Sequence, residues 1–223
     1  MDVLSFLKEA LSSFQRVGAF LPAQKLLVNA VVEALPSRNS MTIVQLGAVE
    51  GSTTRAIMHK MDGLEYRLKA FELNEMLLDA NRRALGRPAC RPAAPMQRER
   101  IELPQQDAFA FAQALTQRGV ARVYAVLSLL PLSHCSPARR QSLLQSIITM
   151  LREEGIFVQY RHTPRGLREL KRCFPDVQRR LVFNVLPAWV YTCRKAGRAS
   201  TPLKLSACER LGDGQPEGRR RWM

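Results

Sequence analysis

The sequence predicts an α/β domain with a mostly parallel sheet, helices on both faces and an antiparallel hairpin at its end. From residue 42 onward, β-rich runs alternate with helical runs, which is the pattern of βαβ units. A Gly-x-x-x-Gly turn after the first strand is typical of sheets that bind a ligand at the carboxyl ends of their strands. Two β-rich runs near residue 187 are separated by only two residues, too few for a crossover helix, so they are expected to pair antiparallel.

Two helices are predicted ahead of the sheet. Apolar residues recur at helical spacing over residues 2–14, whereas Asp2, Lys8 and Glu9 fall off that stripe, which indicates an amphipathic helix. Such a helix either packs on the domain or lies in a membrane interface, and the sequence leaves both alternatives open. The second helix is predicted over residues 22–35.

The alternation that follows predicts the body of the sheet. Strands are expected at residues 42–47, 66–72, 123–130 and 155–162, with a further strand ending directly before Asp107. Helices are expected at residues 52–61, 74–85, 107–118 and 137–154. Residues 86–100 are rich in Pro, Ala and Arg without apolar periodicity, so they are expected to form a basic surface loop.

The closing hairpin and the tail complete the predicted organisation. The hairpin strands are residues 179–185 and 188–194, and the polar residues after them, rich in Gly, Pro and Arg, are expected to be disordered. We therefore divide the chain into amino-terminal helices (1–36), the main domain (37–195) and a basic tail (196–223).

Charge and composition limit the classes of function. The chain carries 34 basic and 19 acidic residues, a formal charge of +15, which favours phosphate-bearing partners such as anionic lipid or nucleic acid. It has no apolar run of about 18 residues and no secretory signal at its start, so we expect a cytoplasmic protein. Five scattered cysteines without a C-x-x-C pair argue against a disulfide framework or a zinc site.

Glycines and acids at the ends of the first three strands predict a nucleoside-containing ligand. Gly47 and Gly51 lack a Cβ, which lets the backbone of the turn approach a cofactor near a helix amino end. Glu72 follows the next strand, 21 residues after Gly51, where an acid can accept hydrogen bonds from both ribose hydroxyls. Asp107 is expected to hold an adenine amino group.

Four stretches carry a resemblance to a known family. They are RVGAFLP before the first domain helix, VLSLLPLSHCSP after the fourth strand, LREEGIFVQYRH around the fifth and VFNVLPAWVY in the hairpin. Through them the chain resembles class I S-adenosylmethionine-dependent methyltransferases and, among these, the bacterial phospholipid N-methyltransferase family. The resemblance implies a seven-stranded Rossmann-like sheet, S-adenosylmethionine as cofactor and no metal.

For methyl transfer to an amine, polar and aromatic residues near the carboxyl ends of the strands, where open α/β sheets bind ligands, are the candidate site residues. Tyr160 is expected to hold a substrate ammonium on its ring face, with Ser128 and His134 orienting the headgroup or accepting a proton. His162 is a further candidate base, although a solvated role is the commoner one for both histidines. The expected cofactor-binding residues are Gln45, Gly47, Ala48, Gly51, Glu72, Asp107, Ala108 and Ser128.

The sequence departs from the family pattern at several positions. Gln45 replaces the acid of the cofactor loop, Val49 its middle glycine, and Glu50 adds a negative charge. Tyr124 stands where an acid is common and Glu154 where a glycine is usual. These departures support the alternative that the chain keeps the fold but binds without turnover.

The basic run over residues 161–180 predicts the partner. It holds seven Arg and Lys against two acids directly after the fifth strand, where an acceptor would enter. Each basic group near an anionic membrane contributes about 1 kcal/mol, so lipid phosphate is a natural counter-charge. We therefore expect peripheral association with the inner face of the cytoplasmic membrane and a phospholipid substrate, phosphatidylethanolamine or its methylated derivatives.

An rRNA adenine N6-methyltransferase is the alternative enzyme. Such enzymes share this cofactor fold and tend to be basic, but they carry an amide and a planar aromatic after the fourth strand, where the flipped base stacks. Here the corresponding segment reads SLLPL from Ser128, which offers neither group. Nucleic acid is therefore the less favoured partner.

Overall fold

Seven strands form one mixed sheet over the part of the chain that the computed structural model describes, residues 21–86, 100–164, 166–183 and 187–197. The strands are β1 (Met41–Leu46), β2 (Tyr66–Phe71), β3 (Ile101–Glu102), β4 (Val123–Ser128), β5 (Leu151–Arg161), β6 (Asp176–Val182) and β7 (Ala188–Arg194). The described α-helices are α1 (Leu21–Glu33), α2 (Ser52–Lys60), α3 (Glu75–Leu85), α4 (Phe111–Gln117), α5 (Pro137–Met150) and α6 (Leu167–Cys173). The predicted amphipathic helix at residues 2–14, most of the basic loop and the tail after residue 197 lie outside the described residues.

The strand order is β3-β2-β1-β4-β5-β7-β6. Strand β7 runs antiparallel to β5 and β6, whereas the other neighbouring strands are parallel, so the predicted mixed sheet with an antiparallel end is confirmed. Strands β1, β2 and β3 follow one another toward one edge of the sheet, and the strands from β4 onward lie on the other side of β1. The order therefore reverses between β1 and β4, which is the switch point of the topology. Open α/β sheets bind their ligands outside the carboxyl ends of the strands at this point.

Helices cover both faces of the sheet, because successive side chains of a strand point to opposite faces and the central strands are apolar on both. On one face, α4, α5 and α6 bury residues such as Leu46, Val126 and Phe157. On the other, α1 and α2 bury residues such as Ile43 and Leu127. Each face thus has its own apolar core.

Helix α1 is part of the second core. Its residues Ala30, Val31 and Val32 are buried there, and an exposed ion pair joins Glu33 to Arg180 of β6 at the far edge of the sheet. Among the described residues, every helix is too short or too polar to span a lipid bilayer.

The predicted end of the helix over 137–154 was wrong. Helix α5 stops at Met150, and Leu151 is already buried in β5, paired with Val123 of β4. The Lys195 ammonium donates to the carbonyls of Ile148 at 2.8 Å and Leu151 at 2.6 Å, which gives the helix end its hydrogen-bond partner. A contact from β7 therefore ends the helix earlier than its own sequence indicates.

Two strand predictions also needed correction. Strand β3 covers only Ile101–Glu102, so Asp107 is not at its end. Pro104 interrupts the edge ladder because it has no N–H to donate, although its carbonyl still accepts the N–H of Glu72. Strand β6 lies three residues earlier than predicted because it pairs with β7 over the full length of both strands, from Asp176 to Val182.

Candidate functional site

The carboxyl ends of β1 and β4 form the floor of the candidate site. Ser128 pairs with Leu46 in register, and the Leu129 N–H donates to the Leu46 carbonyl at 2.9 Å. A Cβ on Gly47 would lie 3.3 Å from the Leu130 side chain, tighter than an ordinary contact. Glycine at this position therefore lets the loop after β1 pass close to the loop after β4.

Three residues of the loop from Gly47 to Gly51 have a left-handed backbone conformation. The φ angles are 80° at Gly47, 50° at Val49 and 89° at Gly51. At Gly51 a Cβ would come within 2.4 Å of the Asn81 carbonyl oxygen Oδ1, so α3 packs directly on the loop. Val49 occupies the position where the resembled family has a glycine, and its conformation is the one that glycine adopts without strain.

Glu72 is the acid that the turn and its spacing predicted, and it is buried at the mouth of the site. One carboxylate oxygen accepts the Val49 N–H at 2.9 Å, and the other accepts the Asn74 N–H at 2.9 Å. The residue is 6% exposed. Because a carboxylate oxygen has two lone-pair sites, each one retains capacity to accept a further hydroxyl. The same carboxylate thus orders the loop and offers two acceptors beside it.

Apolar side chains next to Glu72 were missed at the sequence level. Leu73 and Met76 are 48% and 72% exposed, so they present apolar surface to solvent. Leu73 directly follows the acid, and Met76 lies in the first turn of α3. The signal in the sequence was the pair of apolar residues between Glu72 and the body of α3.

The Gln45 side chain lies beneath the loop Gly47–Gly51 and does not face the opening of the site. It is fully buried, its Oε1 accepts the Thr54 hydroxyl at 2.9 Å, and that hydroxyl in turn accepts the Asn81 amide at 3.3 Å. Within the described residues, Gln45 Nε2 and Asn81 Oδ1 have no hydrogen-bond partner. Gln45, expected to contact the cofactor, is therefore placed in a buried polar chain that joins β1 to α2 and α3.

Asp107 lies beyond β3, and both of its carboxylate oxygens contact other residues of the chain. Its Oδ1 accepts the Phe109 N–H at 2.9 Å and caps the 3-10 turn Ala108–Ala110, while Oδ2 lies 3.3 Å from the Arg139 guanidinium. Arg139 also stacks on the Phe109 ring at 4.0 Å. Ala108 is buried under this turn. A bridge between Glu72 and Gln105 keeps the segment next to β2, so Asp107 stands beside the expected nucleoside position.

The loop after β4 carries two of the predicted catalytic residues in different settings. Ser128 is fully buried, and its hydroxyl accepts the Leu130 N–H at 3.4 Å. His134 ends an exposed 3-10 turn and donates its backbone N–H to the Pro131 carbonyl at 3.0 Å. Ser128 thus holds the start of the loop, and His134 stands on its rim.

Tyr160 and His162 lie at the carboxyl end of β5, the strand next to β4. Their rings meet edge to face with centroids 5.6 Å apart, and His162 Nδ1 lies 3.3 Å from the Pro187 carbonyl. Burial, and secondarily the negative charge of Glu50, raises the pKa of the Tyr160 phenol above its ordinary value. The sequence did not indicate that the charge of Glu50 acts on Tyr160.

The two remaining departures from the family pattern are Tyr124 and Glu154. Tyr124 is near the start of β4, buried between the guanidiniums of Arg38 at 5.0 Å and Arg152 at 4.2 Å, at the opposite end of the strand from Ser128. Glu154 has a φ of 61°, so this position, like Val49, adopts a left-handed conformation. Neither Tyr124 nor Glu154 lies at the candidate site.

Arg161, assigned above to the exposed basic rim, is buried. It is 8% exposed and contacts Glu169 of α6 at 3.4 Å. Arg161 is therefore withdrawn from the surface that the basic run over residues 161–180 was expected to offer an anionic partner, because Glu169 of α6 lies over it. Arg168, Lys171 and Arg172 of α6 are exposed. Among the described residues, no three His, Cys, Asp or Glu side chains converge in a way that could hold a metal ion.

Solved structures share this architecture. The precorrin-6y C5,15-methyltransferase from Geobacter metallireducens matches 81% of this chain and 93% of its own, with a TM-score of 0.56 at 16% identity. TrmN from Thermus thermophilus gives a TM-score of 0.57 at 19% identity over 76% of this chain and 48% of its own. The N-methyltransferase NodS from Bradyrhizobium japonicum gives 0.54 at 12% identity over 78% and 97%.

No protein-family model matches the sequence, and no curated protein matches it. At such low identities the structures just described establish the fold alone. Together with the strand order and the antiparallel β7, they show that the chain has a seven-stranded, Rossmann-like fold, which it shares with these methyltransferase structures.

Proposed function

We propose that this chain is an S-adenosylmethionine-dependent N-methyltransferase that acts on the amine headgroup of phosphatidylethanolamine or its methylated derivatives at a membrane surface. The observation that carries the methyltransferase proposal is the buried Glu72 carboxylate, held against the left-handed loop after β1 at the switch point of a methyltransferase fold. The proposal of a lipid acceptor rests on the resemblance in sequence and on the exposed aromatic and basic residues near the site.

The residues on the cofactor side fit S-adenosylmethionine. Glu72 has acceptor capacity for the two ribose hydroxyls, and Leu73 and Met76 present apolar surface for the adenine ring. Gly47 and Gly51 let the loop pack closely on Leu130 and Asn81, which shapes it at the amino end of α2. When bound, the cofactor supplies an electrophilic methyl group on a sulfonium sulfur.

The residues on the acceptor side fit an amine. The Tyr160 ring offers a face to an ammonium, an attraction of about 0.5–2 kcal/mol. A nucleophilic amine must be neutral, so the ammonium has to lose a proton first, and His162, whose ring meets Tyr160 edge to face, is placed to accept it. Ser128 keeps the loop after β4 in place through Leu130.

The rim supports a lipid acceptor. Phe183 follows β6, which runs parallel to β5, so this 79% exposed ring lies at the same edge of the sheet as Tyr160. The cations Arg168, Lys171 and Arg172 of α6, the helix that follows β5, are exposed. Aromatic and basic residues together are the composition that binds an anionic interface. The amphipathic run over residues 2–14 adds a second sequence signal for the same partner.

Transfer of labelled methyl groups tests the proposal directly. The full-length protein is incubated with methyl-labelled cofactor and, in parallel, with phosphatidylethanolamine/phosphatidylglycerol vesicles or with total RNA. We expect label in the lipid extract. Label in RNA alone would support the alternative rRNA methyltransferase, for which the charge of +15 is the favouring observation.

Two variants with the same substitution make the experiment specific. Glu72→Gln removes the charge of the buried acid, whereas Glu75→Gln changes an exposed acid in the first turn of α3. We expect transfer to fall in the first and persist in the second. If calorimetry detects cofactor binding by the wild type while neither acceptor is labelled, the chain is a binding protein, as the left-handed Val49 would favour.

A further inference from the structure

A buried ionic network joins α5, α6 and the end of β5. Glu169 of α6 accepts the Arg140 Nε–H with both carboxylate oxygens, at 2.8 and 3.1 Å, and its Oε2 also lies 3.4 Å from Arg161 Nη2. The side chains of Arg140, Glu169 and Arg161 are 21%, 26% and 7% exposed. One partly buried carboxylate therefore serves two guanidiniums that cannot lose their charge.

Arg140 extends the network to the loop after β4. Its Nη1 donates to the carbonyls of Leu132 at 3.4 Å and Cys135 at 3.0 Å, which flank the turn that carries His134. The planar guanidinium thus clamps both ends of this turn while its Nε side is held by Glu169.

Arg161 extends the network to the other side of the site. Its Nε and Nη2 donate to Gln159 Oε1 at 3.4 and 3.3 Å, and Gln159 is fully buried beside Ser128 in the β4–β5 register. Gly166 has a φ of 105°, and a Cβ there would overlap Arg161 Nη1 at 1.8 Å. The turn into α6 is therefore shaped to admit this guanidinium.

We propose that Glu169 is a positioning residue that holds the acceptor side of the site: through Arg140 it fixes the loop with His134, and through Arg161 it fixes Gln159 next to Ser128. This role rests on the proposed methyltransferase function. Its hydrogen bonds run to the loop after β4 and to β5, and α5 and α6 pack on the face of the sheet opposite to α2.

Hydrogen exchange tests the network without any assay of activity. The backbone N–H groups of Leu129, His134 and Cys135 are hydrogen-bonded, so the peptide over residues 129–136 has protection to lose. In Glu169→Gln we expect this peptide to exchange at least about tenfold faster, and the peptide over 47–51 to stay unchanged. Glu33→Gln, which breaks the exposed pair with Arg180, is the matched control and should leave both peptides unchanged.

Kinetics distinguish positioning from a purely structural role. We expect Glu169→Gln to raise the KM for the amine acceptor about tenfold, while the cofactor Kd changes less than about twofold. If circular dichroism shows that Glu169→Gln does not fold, Arg140→Lys replaces it in both experiments. This variant keeps the positive charge but loses the planar set of guanidinium donors, so the same effects on exchange and kinetics are expected.

The outcomes separate this inference from the proposed function. If the wild type labels no acceptor, the proposed function fails, and an unchanged exchange rate at 129–136 would independently overturn the network. Faster exchange with an unaltered acceptor KM in an active enzyme would show that Glu169 is structural only. An equal loss of cofactor and acceptor affinity would likewise overturn its assignment to the acceptor side.

Discussion

The carboxylate of Glu72 accepts the backbone N–H of Val49 at 2.9 Å, so the acid after β2 and the loop after β1 hold each other in place. The contact explains why a valine persists in left-handed backbone with a φ of 50°. A carboxylate to N–H bond in a buried setting is stronger than a neutral one and offsets part of the strain at Val49. The acid is therefore both a structural clasp and the expected ribose acceptor.

Glu72→Ala should weaken cofactor binding. The variant removes the acceptor of the ribose hydroxyls and releases Val49, and loss of a hydrogen bond to a charged group costs about 1.5–3 kcal/mol, or about 10- to 100-fold in Kd. Titration calorimetry with S-adenosylmethionine measures it, with Glu75→Ala as the exposed control. An unchanged Kd would remove Glu72 from the cofactor site.

Val49→Gly should leave the fold intact and strengthen cofactor binding. Glycine adopts positive φ without the steric cost that a β-branched residue has there, so the free energy of unfolding should rise by about 0.5–1 kcal/mol. Denaturant titration and calorimetry report the two effects. Weaker cofactor binding would mean that the Val49 side chain makes a favourable contact.

Gly51→Ala should act in the opposite direction. Its φ of 89° disfavours any Cβ, and that Cβ would lie 2.4 Å from Asn81 Oδ1. We expect a loss of about 1–3 kcal/mol in the free energy of unfolding. A neutral result in the same denaturant titration would show that α3 can shift away from the loop.

The ring of Tyr160 should matter more than its hydroxyl. Tyr160→Leu is expected to raise the acceptor KM about 2- to 30-fold, because cation–π attraction contributes about 0.5–2 kcal/mol, whereas Tyr160→Phe should keep most of the affinity. Burial raises the pKa of the Tyr160 phenol above its ordinary value of about 10, so the phenol stays mostly protonated below that pH, and the wild type and Tyr160→Phe should share one pH profile from about pH 7 to 9. A difference in their alkaline limbs would indicate that the hydroxyl takes part in proton transfer.

Tyr66→Phe should reduce the alkaline sensitivity of stability. Burial raises the pKa of Tyr66 to about 12, and its hydroxyl has no hydrogen-bond partner among the described residues. Between about pH 10 and 12 the unfolded chain loses this proton while the folded one retains it, so stability falls as pH rises, by about 2–3 kcal/mol in total. The variant should lose less stability in this window and be no less stable at neutral pH. An equally steep fall in denaturant titrations would contradict this.

The predicted helix at residues 2–14 gives a test at the membrane. The protein should bind vesicles that contain phosphatidylglycerol and not purely zwitterionic ones, and salt should release most of it, because charges are screened over about 8 Å at physiological ionic strength. Replacing Leu4, Leu7 and Leu11 with Ser should abolish sedimentation with vesicles even at low salt. If the variant stays folded and still binds, the basic rim alone recruits the protein. If it unfolds, the run belongs to the core.

Much of the fold and one half of the site followed from short stretches of sequence. The alternation of β-rich and helical runs predicted the parallel sheet, and the two-residue gap before Ala188 predicted the antiparallel β7. Gly47, Gly51 and Glu72 were identified from their spacing and come together as expected. These features were predictable because turn chemistry, side-chain periodicity and connection length act within a few residues of one another.

The tertiary structure decided what depends on distant partners. Helix α5 ends at Met150 because the next residue, Leu151, pairs with β4 in the sheet. Lys195, which is 44 residues beyond Leu151, supplies hydrogen-bond donors to the carbonyls at this helix end. Arg161 is buried because Glu169 of the following helix compensates its charge. A basic residue in a sequence carries no sign of whether an acid will fold over it.

The sequence by itself determined the layer architecture, the glycine turn after β1 and the acid after β2, because each is encoded in local pattern. Only the tertiary structure placed Arg161 beneath Glu169 and Gln45 in the buried chain with Thr54. The physical reason is the same in both cases: which face of a sheet or loop a polar side chain occupies is set by packing against elements far along the chain, and a linear pattern does not record that packing.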